Sequence, residues 1–152
     1  MAVARKDTPI GFEIKPAVKN LTKEMIDGFE ACMDNFTAGI VPPRGRSAHV
    51  DPELAKQTGL VAPVASASIS VSFLNEILTD FFGDGWKHGG KLDVRFIAPA
   101  YAGYTITAHG TVKEAVPEGP SEGRTVRLVL DVWCEDQEGR RTAVGTASGL
   151  VR

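Results

Sequence analysis

Residues 64–82, with the sequence VASASISVSFLNEILTDFF, decide the fold of this chain. These nineteen residues contain neither proline nor glycine, so nothing in them interrupts a helix. Large apolar side chains recur every four positions, at Ile69, Phe73, Ile77 and Phe81. Other apolar residues widen this face over most of the circumference, which is typical of a buried helix. The stretch therefore predicts one long buried helix at the centre of the fold.

Downstream of Gly83 the apolar period changes to two, which is typical of strands. Four strands are predicted, at residues 90–98, 104–114, 124–135 and 141–151. Because turn-forming residues make the connections between them short, neighbouring strands are expected to pair in an antiparallel meander. We predict the α+β class, with one long buried helix wrapped by a curved antiparallel sheet.

Two shorter helices are predicted upstream. The first covers about residues 23–34, with Thr22 as its N-cap. Leu21 and Ile26 flank this cap at the spacing of a hydrophobic staple. Cys32 falls on the apolar face of this helix and is expected in the core.

The second short helix begins at Asp51, an N-cap followed by Pro52 at the first helical position, and ends near Gly59. Near the N-terminus, Phe12 and Ile14 alternate with polar neighbours and predict a short strand.

Length and composition predict a single domain over residues 1–152 with an ordinary core. The net charge of −2 gives no general attraction to nucleic acid or anionic membranes, so neither is expected as a partner. The two cysteines cannot form a disulfide framework, and Cys134 is expected in the core like Cys32. There is no recognisable signal peptide or membrane span, and a cytoplasmic location is expected.

The chemically most suggestive residue is His49, which directly precedes the short capped helix. A neutral imidazole is a competent general base. The Pro- and Gly-rich loop before it carries Arg44 and Arg46 but no acid. These arginines are either solvated loop charges or a grip on phosphate or carboxylate oxygens. His49 itself is either a catalytic base or a brace for the loop.

Three segments together resemble the MaoC-like dehydratases, the (R)-specific enoyl-CoA hydratases of the hot-dog fold. His49-x-Asp51-x-x-x-Ala55-x-x-x-Gly59 is similar to the second half of the family's hydratase motif. Residues 63–67 (PVASA) stand where the family's central helix begins, and residues 94–103 (VRFIAPAYAG) resemble the family's first long-hairpin segment.

The resemblance implies that His49 acts as the catalytic acid and base, and that the Ala67 backbone N–H receives the thioester carbonyl. Ser66, next to that N–H, is a candidate for substrate binding, although helix packing is its simpler interpretation. The family's motif Asp, five residues before the His, is replaced here by Arg44. We consider Asp34, at the end of the first helix, as a displaced substitute for it.

These features predict reversible hydration and dehydration at C2–C3 of an acyl thioester of coenzyme A or acyl carrier protein. No organic or metal cofactor is expected, because water addition beside a thioester needs none. A homodimer or a dimer of dimers is expected. Two alternatives remain: a hot-dog thioesterase directed by Glu76 or Asp34, and a non-catalytic acyl-CoA-binding protein.

Overall fold

The computed structural model of this chain describes residues 3–37, 46–119 and 125–152. Its elements, in chain order, are β1 (Ala17–Asn20), α1 (Lys23–Thr37), α2 (Pro52–Gln57), α3 (Ala67–Phe82), α4 (Asp84–Gly89), β2 (Lys91–Phe96), β3 (Thr105–Glu118), β4 (Thr125–Asp136) and β5 (Arg141–Val151). The long central helix and the four long strands were predicted, and the α+β class is confirmed.

The five strands form one antiparallel sheet in the order β1-β3-β4-β5-β2. Strands β3, β4 and β5 form the expected meander. The expectation that β2 pairs with the next strand in sequence was wrong, because β2 pairs with β5 at the far edge. The segment between β2 and β3 crosses the end of the sheet, where its backbone is bonded to the chain before α3 and before α1.

Helix α3 lies against the sheet and contacts β1, β3, β4 and β5, so the sheet wraps around it. Leu74 and Leu78 of α3 are completely buried, as are Leu128 and Leu130 of β4. The periodicity of residues 64–82 therefore identified the centre of the core, although the helix itself starts at Ala67. Cys134 is also completely buried, as expected.

Helix α1 starts as predicted, because the Thr22 hydroxyl accepts a hydrogen bond from the Met25 N–H at 3.1 Å. Leu21 and Ile26 are both buried beside this cap. The prediction that Cys32 is in the core was wrong, because its side chain is exposed. At 100° per residue, Cys32 points about 120° away from Ile26 around the helix, outside the narrow buried face that Ile26 and Glu30 mark.

The segment with Phe12 and Ile14 pairs with β3, but it is too short to form a strand. It makes an isolated bridge from Glu13 to Thr111 and backbone hydrogen bonds to Gly110 and Val112, and the edge strand β1 follows at Ala17–Asn20. A strand of four residues pairs with a distant partner and has no periodicity long enough to identify it.

Helix α4 was not predicted, because its sequence DGWKHG contains two glycines. These glycines allow α4 to pack closely on β5. A Cβ atom at Gly85 would lie 1.8 Å from the Leu150 carbonyl oxygen, so no larger residue fits there.

No helix in the described ranges is both long and apolar enough to cross a membrane.

Candidate active site

Asp51 anchors the start of α2, as its sequence position predicted. Its Oδ1 atom accepts hydrogen bonds from the N–H groups of Glu53 (3.0 Å) and Leu54 (3.1 Å). The Arg46 guanidinium forms an ion pair with the other carboxylate oxygen. The hydrogen bond from Arg46, followed by that from the Leu54 N–H, lowers the pKa of Asp51 to about 2. Asp51 is therefore a charged helix cap rather than a proton donor at neutral pH.

His49 lies just before this cap and is half-buried. Its Nδ1 atom is 2.8 Å from the carbonyl oxygen of Val64. A carbonyl oxygen can only accept a hydrogen bond, so this contact assigns the proton of the neutral ring to Nδ1. The Nε2 atom then carries the lone pair, which is the arrangement a general base requires.

Two of the three sequence segments that carry the resemblance are bonded to each other in space. The Ala65 N–H donates to the Ala100 carbonyl, and the Ala102 N–H donates to the Pro63 carbonyl, both at 2.8 Å. The Val64 N–H donates to the Ala48 carbonyl at 3.3 Å, which ties the third segment to the same strand-like stretch. Backbone hydrogen bonds therefore hold His49, the entry to α3 and the segment after β2 together.

Helix α3 begins beside this stretch, with Ser66 as its N-cap residue. The Ser66 hydroxyl caps no backbone N–H, and its oxygen is buried without a hydrogen-bond partner among the described residues. The first N–H groups of a helix have no partner within the helix and carry partial positive charge from the helix dipole. The Ala67 N–H is thus suited to an anionic or carbonyl oxygen.

A cavity of about 240 Å³ opens at this end of α3. It is lined by Leu60, Val64, Ala65, Ala67, Ser70, Phe96, Ala98, Pro99, Ala100 and Thr142. Most of the wall is apolar, which suits an acyl chain. His49 is not one of the lining residues, but its hydrogen-bond acceptor Val64 is. The imidazole is therefore adjacent to the cavity wall.

The remaining predicted site residues are less closely tied to this geometry. Arg44 lies outside the described residues. Arg46 forms an ion pair with Asp51, and the Arg46 side chain is 69% exposed. Asp34 is half-buried near the end of α1. Within the described parts of the chain, the hydrogen bond of His49 runs to a backbone carbonyl, so its pairing with Asp34 stays a prediction.

Glu76, the carboxylate considered for thioesterase chemistry, pairs with Lys19 of β1 at 2.7 Å and is 46% exposed. It lies nine residues beyond Ala67, about 14 Å along the helix axis. Its interpretation as a carboxylate paired at the edge of the helix is therefore the better one.

No group of three His, Cys, Asp or Glu side chains suited to a metal ion occurs in the described ranges.

Sequence reasoning missed two groups in this site. The Val64 carbonyl is a backbone atom, and no sequence pattern marks it as the partner of His49. Ser70 is buried at 4% exposure and lines the cavity. Its spacing of three residues from Ala67, on the same helix face, was the one signal that could have identified it.

No protein-family model matches the sequence, and no curated protein is significantly similar to it. Solved structures are similar in fold. The ChsH1-ChsH2 complex from Mycobacterium tuberculosis contains a chain that is 17% identical with a TM-score of 0.72, and the match covers 95% of this chain and 99% of that one.

The (R)-hydratase from A. caviae involved in PHA biosynthesis is 17% identical with a TM-score of 0.70, and the match covers 96% of this chain and 98% of that one. The MaoC-like dehydratase from Rhodospirillum rubrum is 16% identical with a TM-score of 0.69, covering 96% and 94%. The resemblance predicted from the three segments is thus confirmed at the level of the fold: this chain has the hot-dog fold of the MaoC-like dehydratases and (R)-hydratases.

Proposed function

We propose that this chain is a hydro-lyase that adds or removes water across C2–C3 of an acyl thioester of coenzyme A or acyl carrier protein. The observation that carries the proposal is the 2.8 Å contact from His49 Nδ1 to the Val64 carbonyl. It leaves the lone pair on Nε2 of a ring whose hydrogen-bond acceptor, Val64, lines an apolar cavity at the start of α3. The fold shared with an (R)-hydratase and a MaoC-like dehydratase supports the same chemistry.

In the hydration direction, Nε2 of His49 takes a proton from water as the water oxygen bonds to C3. The C2–C3 double bond shifts its electrons toward C1, and negative charge develops on the thioester oxygen. The Ala67 N–H stabilises that charge, helped by the dipole of α3. The imidazolium then returns its proton to C2. The sum is the addition of one water molecule, and one imidazole can serve both proton transfers.

The decisive experiment is product identification with crotonyl-CoA and longer 2-enoyl-CoA thioesters. A hydro-lyase forms a 3-hydroxyacyl thioester, detected by mass spectrometry as a gain of one water. Release of free CoA thiol would instead identify a thioesterase. Failure to convert any 2-enoyl thioester would refute the proposal.

A second candidate, a non-catalytic acyl-thioester-binding protein, is favoured by one observation. The hydrogen bond described for His49 ends on a backbone carbonyl rather than on a carboxylate. A carbonyl orients the ring but cannot share a proton. Saturable binding of enoyl-CoA without conversion, measured by calorimetry, would identify this function.

We propose a homodimer, on the basis of the edge strand β2. One side of β2 pairs with β5, and the other has no partner strand within the described chain. Near its end, Phe96 and Ile97 are 47% and 57% exposed. Edges with exposed apolar residues favour pairing with another chain. Light scattering at micromolar concentration should give twice the monomer mass for the parent, and Ile97→Glu should shift it toward the monomer mass.

We propose that Arg46 leaves its ion pair with Asp51 and contacts a phosphate of the ligand instead. Asp51 would keep its hydrogen bonds to the α2 backbone, so the helix cap would be retained. Arg46→Ala should then weaken acyl-CoA binding more at low salt than at high salt, because ionic contacts are screened. Arg5→Ala is a matched control, because Arg5 is exposed and its side chain forms no hydrogen bond or ion pair with the described residues. Equal affinities of Arg46→Ala and the parent at both salt concentrations would exclude this role.

A further inference from the structure

The cavity at the start of α3 has a polar feature that its proposed role in holding an acyl chain does not require. Eight of its ten lining residues are apolar, and the other two, Ser70 and Thr142, carry hydroxyl groups. Both are buried, at 4% and 1% exposure. No charged residue is among the described residues that line the cavity. A pocket for a plain hydrocarbon chain would need neither hydroxyl.

The two hydroxyls differ in their hydrogen bonds. Thr142 Oγ1 donates to the Cys134 carbonyl at 3.3 Å, so its proton is already used. Within the described ranges no hydrogen bond engages the Ser70 hydroxyl, whereas the neighbouring Ser72 donates to the Ser68 carbonyl at 2.9 Å. Ser70 Oγ is not among the fully buried oxygens without a partner in the described residues, so it keeps some contact with the open space of the cavity. Ser70 therefore has a donor available for a ligand in the cavity.

The position of Ser70 relative to Ala67 indicates which ligand atom it meets. Residues three apart lie on the same helix face, separated by about 4.5 Å along the axis. The proposed mechanism binds the thioester carbonyl oxygen at the Ala67 N–H. An oxygen on C3 of the same acyl chain is separated from that carbonyl oxygen by a comparable distance. Oxygens on C1 and C3 can thus reach Ala67 and Ser70 together.

We propose that the Ser70 hydroxyl hydrogen-bonds to the oxygen on C3 and makes the cavity selective for 3-hydroxyacyl thioesters over unsubstituted acyl thioesters. This inference rests on the proposed function, because it uses the same cavity and the same placement of the carbonyl. Ser70 and Thr142 are the polar side chains of the described cavity wall, and both are neutral, which suits a neutral C3 oxygen such as that of a hydroxyl group. Ser70 thereby determines specificity at the carbon that gains or loses water.

The test compares the binding of (R)-3-hydroxybutyryl-CoA with that of butyryl-CoA by calorimetry. His49→Ala serves as the background, because it stops turnover of the hydroxy ligand under the proposed mechanism. This background should bind the hydroxy ligand about tenfold more tightly, the effect of one good buried hydrogen bond. Adding Ser70→Ala should reduce the affinity ratio to about one, with the affinity for butyryl-CoA unchanged within about twofold.

Ser72→Ala is the matched control, since it removes an exposed serine hydroxyl from the same helix and should leave the ratio unchanged. Ser70→Cys keeps the side-chain volume but has a weak donor, and should lower the ratio even if Ser70→Ala folds poorly. If both Ser70 variants still bind (R)-3-hydroxybutyryl-CoA about tenfold more tightly than butyryl-CoA, the inference is overturned. Equal weakening of both ligands also overturns it, because that indicates only a structural role.

Failure of this inference is distinguishable from failure of the proposed function. If the parent hydrates crotonyl-CoA while the Ser70 variants keep the ratio, only the role of Ser70 is wrong. If the parent converts no enoyl thioester and the background binds neither ligand, the proposed function is wrong, and the role of Ser70 is wrong with it.

Discussion

The Nδ1 atom of His49 lies 2.8 Å from the carbonyl oxygen of Val64, so a backbone group orients the candidate base. The hydrogen bond that orients the ring uses Nδ1, whereas the proposed proton transfer uses Nε2. Substitutions at position 49 can therefore test the two roles separately. An Asn at position 49 can present its side-chain N–H where Nδ1 lies now, while an Ala presents nothing.

We therefore expect His49→Asn and His49→Ala both to lower enoyl-CoA hydration by at least about 100-fold, because each lacks the base at Nε2. Only His49→Ala should also lose about 1 kcal/mol of stability, the contribution of one hydrogen bond. Hydration rates and urea midpoints measure the two effects. Near-parent activity of His49→Asn would show that the imidazole only braces the loop.

The charge on Asp51 should contribute to stability in a defined pH range. Its pKa in the folded chain is lowered to about 2 by Arg46 and the α2 backbone, below its value near 3.9 in an unfolded chain. The stabilisation is therefore fully present above pH 4 and is lost as the pH falls toward 2. Asp51→Asn keeps a cap but has no charge. The urea midpoints of this variant and the parent should differ at pH 6 and converge near pH 2; a constant difference would contradict this explanation.

Two glycines with opposite surroundings should respond in opposite ways to alanine. A Cβ at Gly145 of β5 would lie 2.0 Å from the Asp93 carbonyl oxygen, whereas one at Gly28 of α1 meets nothing within 4 Å. Gly145→Ala should destabilise the fold by about 2 kcal/mol, because β2 must move away from β5. Gly28→Ala should stabilise it by about 0.5–1 kcal/mol through helix propensity. Chemical denaturation of both variants measures these differences, and a neutral Gly145→Ala would show that β2 is loosely held.

The two thiols should react at very different rates. Burial raises the pKa of Cys134 to about 12, while Cys32 is exposed on α1. One thiol per folded chain should react quickly with a disulfide reagent at pH 8, and the second only after denaturation. Cys32→Ser should abolish the fast reaction. Two fast thiols in the parent protein would mean that β4 opens readily.

The parts of the fold that were predictable from sequence are those with local signals. The four-residue spacing from Ile69 to Phe81 identified the central helix, and the side chains of Thr22 and Asp51 marked helix starts. The pairing of β2 with β5 was not predictable, because it depends on where the chain crosses the sheet after Phe96. Cys32 was misplaced because the apolar residues of α1 span a wider face than the one that is buried in the fold.

The candidate site was only partly predictable, for a related reason. His49 and the start of α3 could be identified from residue types and order. The Val64 carbonyl and Ser70 could not, because a backbone acceptor has no residue type and a cavity exists only after distant segments pack. Where Asp34 and Arg46 act depends on the same long-range packing, and residue spacing does not determine it.

The hydrogen bonds from Ala65 to Ala100 and from Ala102 to Pro63 join main-chain atoms only. Every residue has a main-chain carbonyl, and every residue except proline has a main-chain N–H. The residues that make these bonds can therefore be replaced without removing a bonding group, provided that Ala65 and Ala102 do not become proline. Natural selection can therefore exchange the surrounding side chains while the geometry at the entry to the central helix persists. Such a framework can diverge to 16–17% identity and still keep the same shape. It also lets descendants acquire a different substrate by changing a few side chains in the cavity wall.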